Sequence, residues 1–70
     1  MQYTIEARPL THPENPSSTT IEAPDAGEAL SRFARRSESE IVSFHATPGR
    51  ESIATVKRKD AVFLVRVYAA

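Results

Sequence analysis

The residues of this chain whose types could do chemistry are few and scattered. His12 lies in a Pro-rich stretch and His45 on a predicted strand, both read as solvent-facing, and neither has a partner at metal-ligand spacing. There is no Cys, so thiolate chemistry, disulfides and cysteine zinc sites are excluded. Serine is plentiful, but no Gly-x-Ser-x-Gly elbow presents one as a nucleophile. Gly27 and Gly49 are too far apart to form a phosphate-cradling loop. Glu22, Glu28, Glu38 and Glu40 are the carboxylates available for acid–base work, and they read better as surface, capping and solubility groups. The expectation is therefore no enzyme, no cofactor and no metal.

Two features point instead to contact surfaces. The first is the cationic run Lys57-Arg58-Lys59, with Arg50 and Arg66 nearby on the same predicted hairpins and Tyr68 as an aromatic neighbour. That composition suits nucleic acid, and it equally suits charges that guard a sheet edge against aggregation. The second is the segment Val62-Phe63-Leu64-Val65-Arg66-Val67-Tyr68, apolar on both strand faces. Such a strand is expected to be central, or covered on both sides. The candidate partner-binding residues are accordingly Ile53, Lys57, Arg58, Lys59, Leu64, Arg66 and Tyr68.

The elements that must position these residues follow from hydrophobic period. Residues 3–8 alternate, with Tyr3, Ile5 and Ala7 on one face, and Pro9 ends the strand. Residues 11–18 form a stiff Pro-rich loop, and residues 19–23 a second strand antiparallel to the first. Asp25 and Glu28 form a capping box at a helix start. Ala26, Ala29, Leu30, Phe33 and Ala34 then line one helix face as far as Ser37. Strands are predicted over 41–46, 52–58 and 61–68. Their connections are a Thr47-Pro48-Gly49-Arg50 turn and a Lys59-Asp60 turn. Pairing across Lys59-Asp60 sets Val56 opposite Phe63 and Ala54 opposite Val65, facing the helix with Val67. The opposite face then takes Ile53, Thr55, Lys57, Val62, Leu64, Arg66 and Tyr68. A bulge beside the Pro48-Gly49 turn brings Val42 and Phe44 onto the helix face. The fold class is α+β: one ββαβββ domain over residues 1–70, a five-stranded mainly antiparallel sheet with one helix packed on one face.

The composition, 40% hydrophobic and 26% charged over 70 residues, is that of a small globular domain, and its longest apolar stretch is too short to span a membrane. The first residues lack the basic and apolar regions of a secretory signal, so a cytoplasmic location is expected. The formal charge is zero, which argues against strong non-specific nucleic-acid binding. Its distribution is uneven. Up to residue 31 there is Arg8 against Glu6, Glu14, Glu22, Asp25 and Glu28, and beyond it eight cations face four carboxylates.

The element order, together with residues 20–34 (TIEAPDAGEALSRFA), resembles certain small phage and mobile-element proteins, in particular some anti-CRISPR proteins of the type I group. That resemblance implies a non-enzymatic inhibitor that occupies a CRISPR-Cas surveillance complex and blocks its binding of target nucleic acid. The group has no shared catalytic motif, so no functional residue carries over. Many of its members are strongly acidic nucleic-acid mimics; this neutral chain departs from them and would bind by shape and mixed charge. Two other readings stand beside it: a nucleic-acid-binding module using the basic hairpin, and a structural homodimer or toxin–antitoxin-like partner. The expected partner is a protein or ribonucleoprotein complex, with weak or no direct nucleic-acid binding and no membrane.

Overall fold

A computed structural model describes residues 1–10, 17–46 and 51–69. The elements are β1 (Gln2–Pro9), β2 (Ser17–Glu22), α1 (Ala26–Arg36), β3 (Glu40–His45), β4 (Ser52–Arg58) and β5 (Ala61–Ala69). All strand pairs are antiparallel, in the order β2-β1-β5-β4-β3, so the ββαβββ reading holds. The doubly apolar β5 is the central strand, as its lack of a polar face predicts.

The core is what alternation dictates. Ile5, Ala7, Ile21, Ala54, Val56, Val65 and Val67 turn one sheet face towards Ala29 and Leu30 of α1. Ile5, Leu30, Val56, Val65 and Val67 are the largest fully buried side chains, each contributing about 1.5–3 kcal/mol. The register across Lys59-Asp60 is as expected, Val56 opposite Phe63 and Ala54 opposite Val65. Phe33 packs against this core but is only half-buried, so Leu30 is the helix's principal anchor.

Three expectations need correction. The bulge lies inside β3: Ile41 opposes Val56 and Ser43 opposes Thr55, leaving Val42 as the extra residue. Phe44 therefore faces the helix opposite Ala54, whereas Val42 is 60% exposed and outside the core. The capping box is half made. The Glu28 amide donates to Asp25 Oδ1 at 2.8 Å, but the Glu28 carboxylate accepts from Arg32 and Arg35 along the helix instead of reaching back. Finally, β2 begins at Ser17, inside the stretch expected to be loop. The remainder of that loop, with His12, and the Thr47-Pro48-Gly49-Arg50 turn lie outside the described residues.

The helix ends in a tight reversal. The Glu38 amide donates to the Arg35 carbonyl and the Ser39 amide to the Ala34 carbonyl, with Glu38 at φ 54°. That is the left-handed closing position at which glycine is favoured.

Candidate interaction surfaces

Helix α1 covers one face of the sheet, and among the described residues no element covers the other. On that open face Glu6, Arg66 and Ile53 form one cross-strand row, continued by the exposed His45; Arg8, Leu64 and Thr55 form the next. Ile53 and Leu64 are diagonal neighbours, 45% and 38% exposed, at the start of β4 and the middle of β5. Beside them Arg66 and Tyr68 are paired with carboxylates. The Arg66 Nε and Nη2 donate to Glu51 Oε2 at 2.8 and 2.5 Å, and Nη1 lies 4.0 Å from Glu6 Oε2. The Tyr68 hydroxyl donates to Glu6 Oε1. That bond, then partial burial and the Glu6 charge, raise the Tyr68 pKa, with Arg66 opposing. The hydrogen bond and charge of Glu51 likewise raise the Arg66 pKa, so the guanidinium stays charged.

The structure brings five of the seven predicted residues, Ile53, Lys57, Leu64, Arg66 and Tyr68, to this face. The other two go elsewhere. Arg58 follows Lys57 by one strand position and so turns to the helix side, where it lines a cleft. Lys59 occupies the β4–β5 turn at φ 54°. The basic run is thus divided between two faces and a turn by the two-residue period of the strand.

The cleft was not legible in the sequence. It holds about 130 Å³ where the C-terminal end of α1 leaves the sheet. Its floor is Ala7, Phe33, Val56 and Phe63, and its rim is Ser17, Ser37, Ser39 and Arg58. Three of the lining residues lie on the helix or the segment after it, and five on four strands brought together only by strand order. The available signal was Phe33 and Phe63, two large rings assigned to facing surfaces of an otherwise small-residue core.

Antiparallel alternation also sorts the charges. The β4–β5 turn, the C-terminal ends of β1 and α1 and the start of β3 share one end of the molecule. Arg8, Arg36, Lys57, Arg58 and Lys59 gather there against Glu38, Glu40 and Asp60. None of those five cations makes an ion pair with a described residue. The ion-paired Arg32 and Arg66 belong with the carboxylates of the opposite half, and Arg35, in the last helical turn, reaches back to Glu28.

Among the described residues no group of His, Asp and Glu could hold a metal ion. No helix is long and apolar enough to cross a membrane. In comparisons with known proteins, no family model, curated protein or solved structure matches this chain.

Proposed function

We propose that this protein is a small non-enzymatic interaction module that binds a protein or ribonucleoprotein partner through the open face of its sheet. The observation that carries the reading is Ile53 beside Leu64, both exposed on an uncovered sheet face with Arg66 and Tyr68 near them. Interfaces favour this composition, an apolar centre with Arg and Tyr anchors. The pairs Arg66–Glu51 and Tyr68–Glu6 hold those anchors in fixed positions before a partner arrives, which lowers the entropic cost of docking.

The sharpest form of this reading is a phage-encoded inhibitor of the anti-CRISPR type, acting in the host cytoplasm. Its support is the resemblance of residues 20–34 and the mixed charge of the open face. The test adds purified protein to a purified type I surveillance complex and measures capture of target DNA. Inhibition by the wild type, lost in folded Leu64→Asp and Tyr68→Ala variants, supports the proposal. No binding to the complex rejects the inhibitor form. Conversion of a dimer to a monomer by the same variants assigns the face to self-association.

The five gathered cations favour a second reading, nucleic-acid binding at the basic hairpin. Glu38, Glu40 and Asp60 interrupt that surface, and Lys57 and Arg58 point to opposite faces. A salt-dependent mobility shift abolished by Arg58→Glu with Lys59→Glu would make it the better account.

A further inference from the structure

We infer that the cleft at the cationic end is a second docking site, which takes one apolar side chain of a partner segment whose flanking residues are acidic. It lies on the helix side of the sheet and is independent of the open-face reading.

Size decides the kind of occupant. Small-molecule sites commonly span about 300–1,000 Å³. This cleft holds about 130 Å³, near the roughly 150 Å³ of an engineered cavity that takes up benzene. It fits one ring or branched aliphatic group entering from outside. The floor supplies the apolar contacts through Phe33 and Phe63, both packed against the core and both incompletely buried. An occupant there would remove the remaining ring surface from water, at about 25 cal/mol per Å².

Charge decides the flanking chemistry. Arg58 stands on the rim itself, a planar fork suited to a carboxylate. Arg36 and Lys59 lie at the same end, and Arg8 and Lys57 on the other face of the sheet there, all without ion-pair partners among the described residues. The carboxylates at the same end are Glu38, Glu40 and Asp60, three against five cations. That local excess makes the field at the cleft cationic despite the neutral total. An acidic segment is steered there and anchored by one side chain. A nucleic acid fits less well. Three carboxylates break the track a phosphodiester would follow, and the cleft has room for one ring only.

The test titrates isotopically labelled full-length protein with a synthetic peptide having one Phe between two acidic residues on each side, and follows amide chemical shifts. Shifts at Phe33, Ser39 and Phe63 are expected, with affinity about tenfold weaker when the peptide's Phe is replaced by Ala. Arg58→Glu should abolish binding, and the open-face variant Leu64→Asp should leave it unchanged. Equal affinity for the Phe and Ala peptides overturns the proposal, because the cleft would then contribute nothing beyond charge. Shifts confined to Ile53 and Leu64 also overturn it, while leaving the open-face reading intact. Displacement of the peptide by a thymidine oligonucleotide of higher affinity would assign this end to nucleic acid.

Discussion

At the end of the sandwich where α1 begins, Arg32 and Arg66 each reach a carboxylate, and Arg35 reaches back to Glu28. At the end where α1 stops, Arg8, Arg36, Lys57, Arg58 and Lys59 reach none among the described residues. The backbone repeats the contrast. The helix start is capped by Asp25 in an extended conformation any residue adopts, whereas Glu38 and Lys59, the described non-glycine residues at positive φ, both lie at the cationic end. Packing differs in that the cleft sits at that end beside the half-buried Phe33, while Leu30, one helical turn earlier, is sealed; half-buried Tyr3, Ala26 and Phe44 lie towards the other end. One end spends its polar groups on the fold. The other leaves charges unpaired, a cleft open and backbone strained.

The largest expected effect tests the packing half of this contrast. Leu30→Ala should cost about 2–5 kcal/mol, the range for a sealed aliphatic side chain, and so most of the stability of a domain this small. Phe33→Ala should cost only about 2 kcal/mol, because part of the ring already meets water and the cleft already exists beside it. Urea denaturation of the two variants compares them directly. Equal losses would mean that the helix is held as firmly at the cationic end, and the contrast would fail.

Backbone relief comes next. A left-handed residue other than Gly carries about 1–2 kcal/mol of strain, and Gly gives back about 0.5–1 kcal/mol through the unfolded chain. Glu38→Gly and Lys59→Gly should each therefore stabilise by about 0.5–1 kcal/mol, visible as a raised midpoint in thermal melts. Lys59→Gly should at the same time weaken binding of any acidic partner, separating strain from charge at one position. A destabilised Glu38→Gly would show that its carboxylate contributes more than its backbone costs.

These positions also show what the sequence could and could not reveal. The meander, the helix-facing set of β4 and β5 and the centrality of β5 were legible, because a two-residue period and a two-residue turn fix register locally. Val42 was misplaced because a bulge inside β3 shifts the period without leaving any Gly or Pro to mark it. The pairing of β1 with β5 joins residues as distant as Glu6 and Tyr68, 62 positions apart, and nothing local encodes it. The Glu6–Tyr68 bond, the gathering of Arg8 with the hairpin cations and the cleft floor all depend on that one pairing, so none was visible beforehand.

A smaller effect checks the electrostatic half. Glu51→Gln removes the carboxylate that holds Arg66 on a half-exposed surface, where ion pairs are weak and screened. Stability should fall slightly at low salt and match the wild type at high salt, whereas Arg36→Gln, without an ion pair among the described residues, should show no such salt dependence. The same salt response in both variants would erase the distinction between paired and unpaired ends.

The smallest effect is a titration, and it reads the paired end from inside. Neutral Tyr68 donates to the Glu6 carboxylate; ionised, it loses that bond and sets a second negative charge beside the first. Its pKa is therefore raised above the usual 10.0, chiefly by the hydrogen bond, then by partial burial and the Glu6 charge, with Arg66 pulling the other way. A raised folded-state pKa means the neutral phenol contributes stability that is fully present below the unfolded pKa and lost as pH rises through the folded one. Ultraviolet titration of the phenolate should show a late-ionising component that Tyr68→Phe removes. Glu6→Gln should move it to lower pH, since the amide keeps an acceptor but not the charge. Alkaline unfolding should correspondingly be steeper in the wild type than in Tyr68→Phe. A phenol that titrates identically with and without the Glu6 carboxylate would show that the open-face anchors are not held in place. Tyr68 would then have to be ordered by a partner, at the partner's expense in affinity.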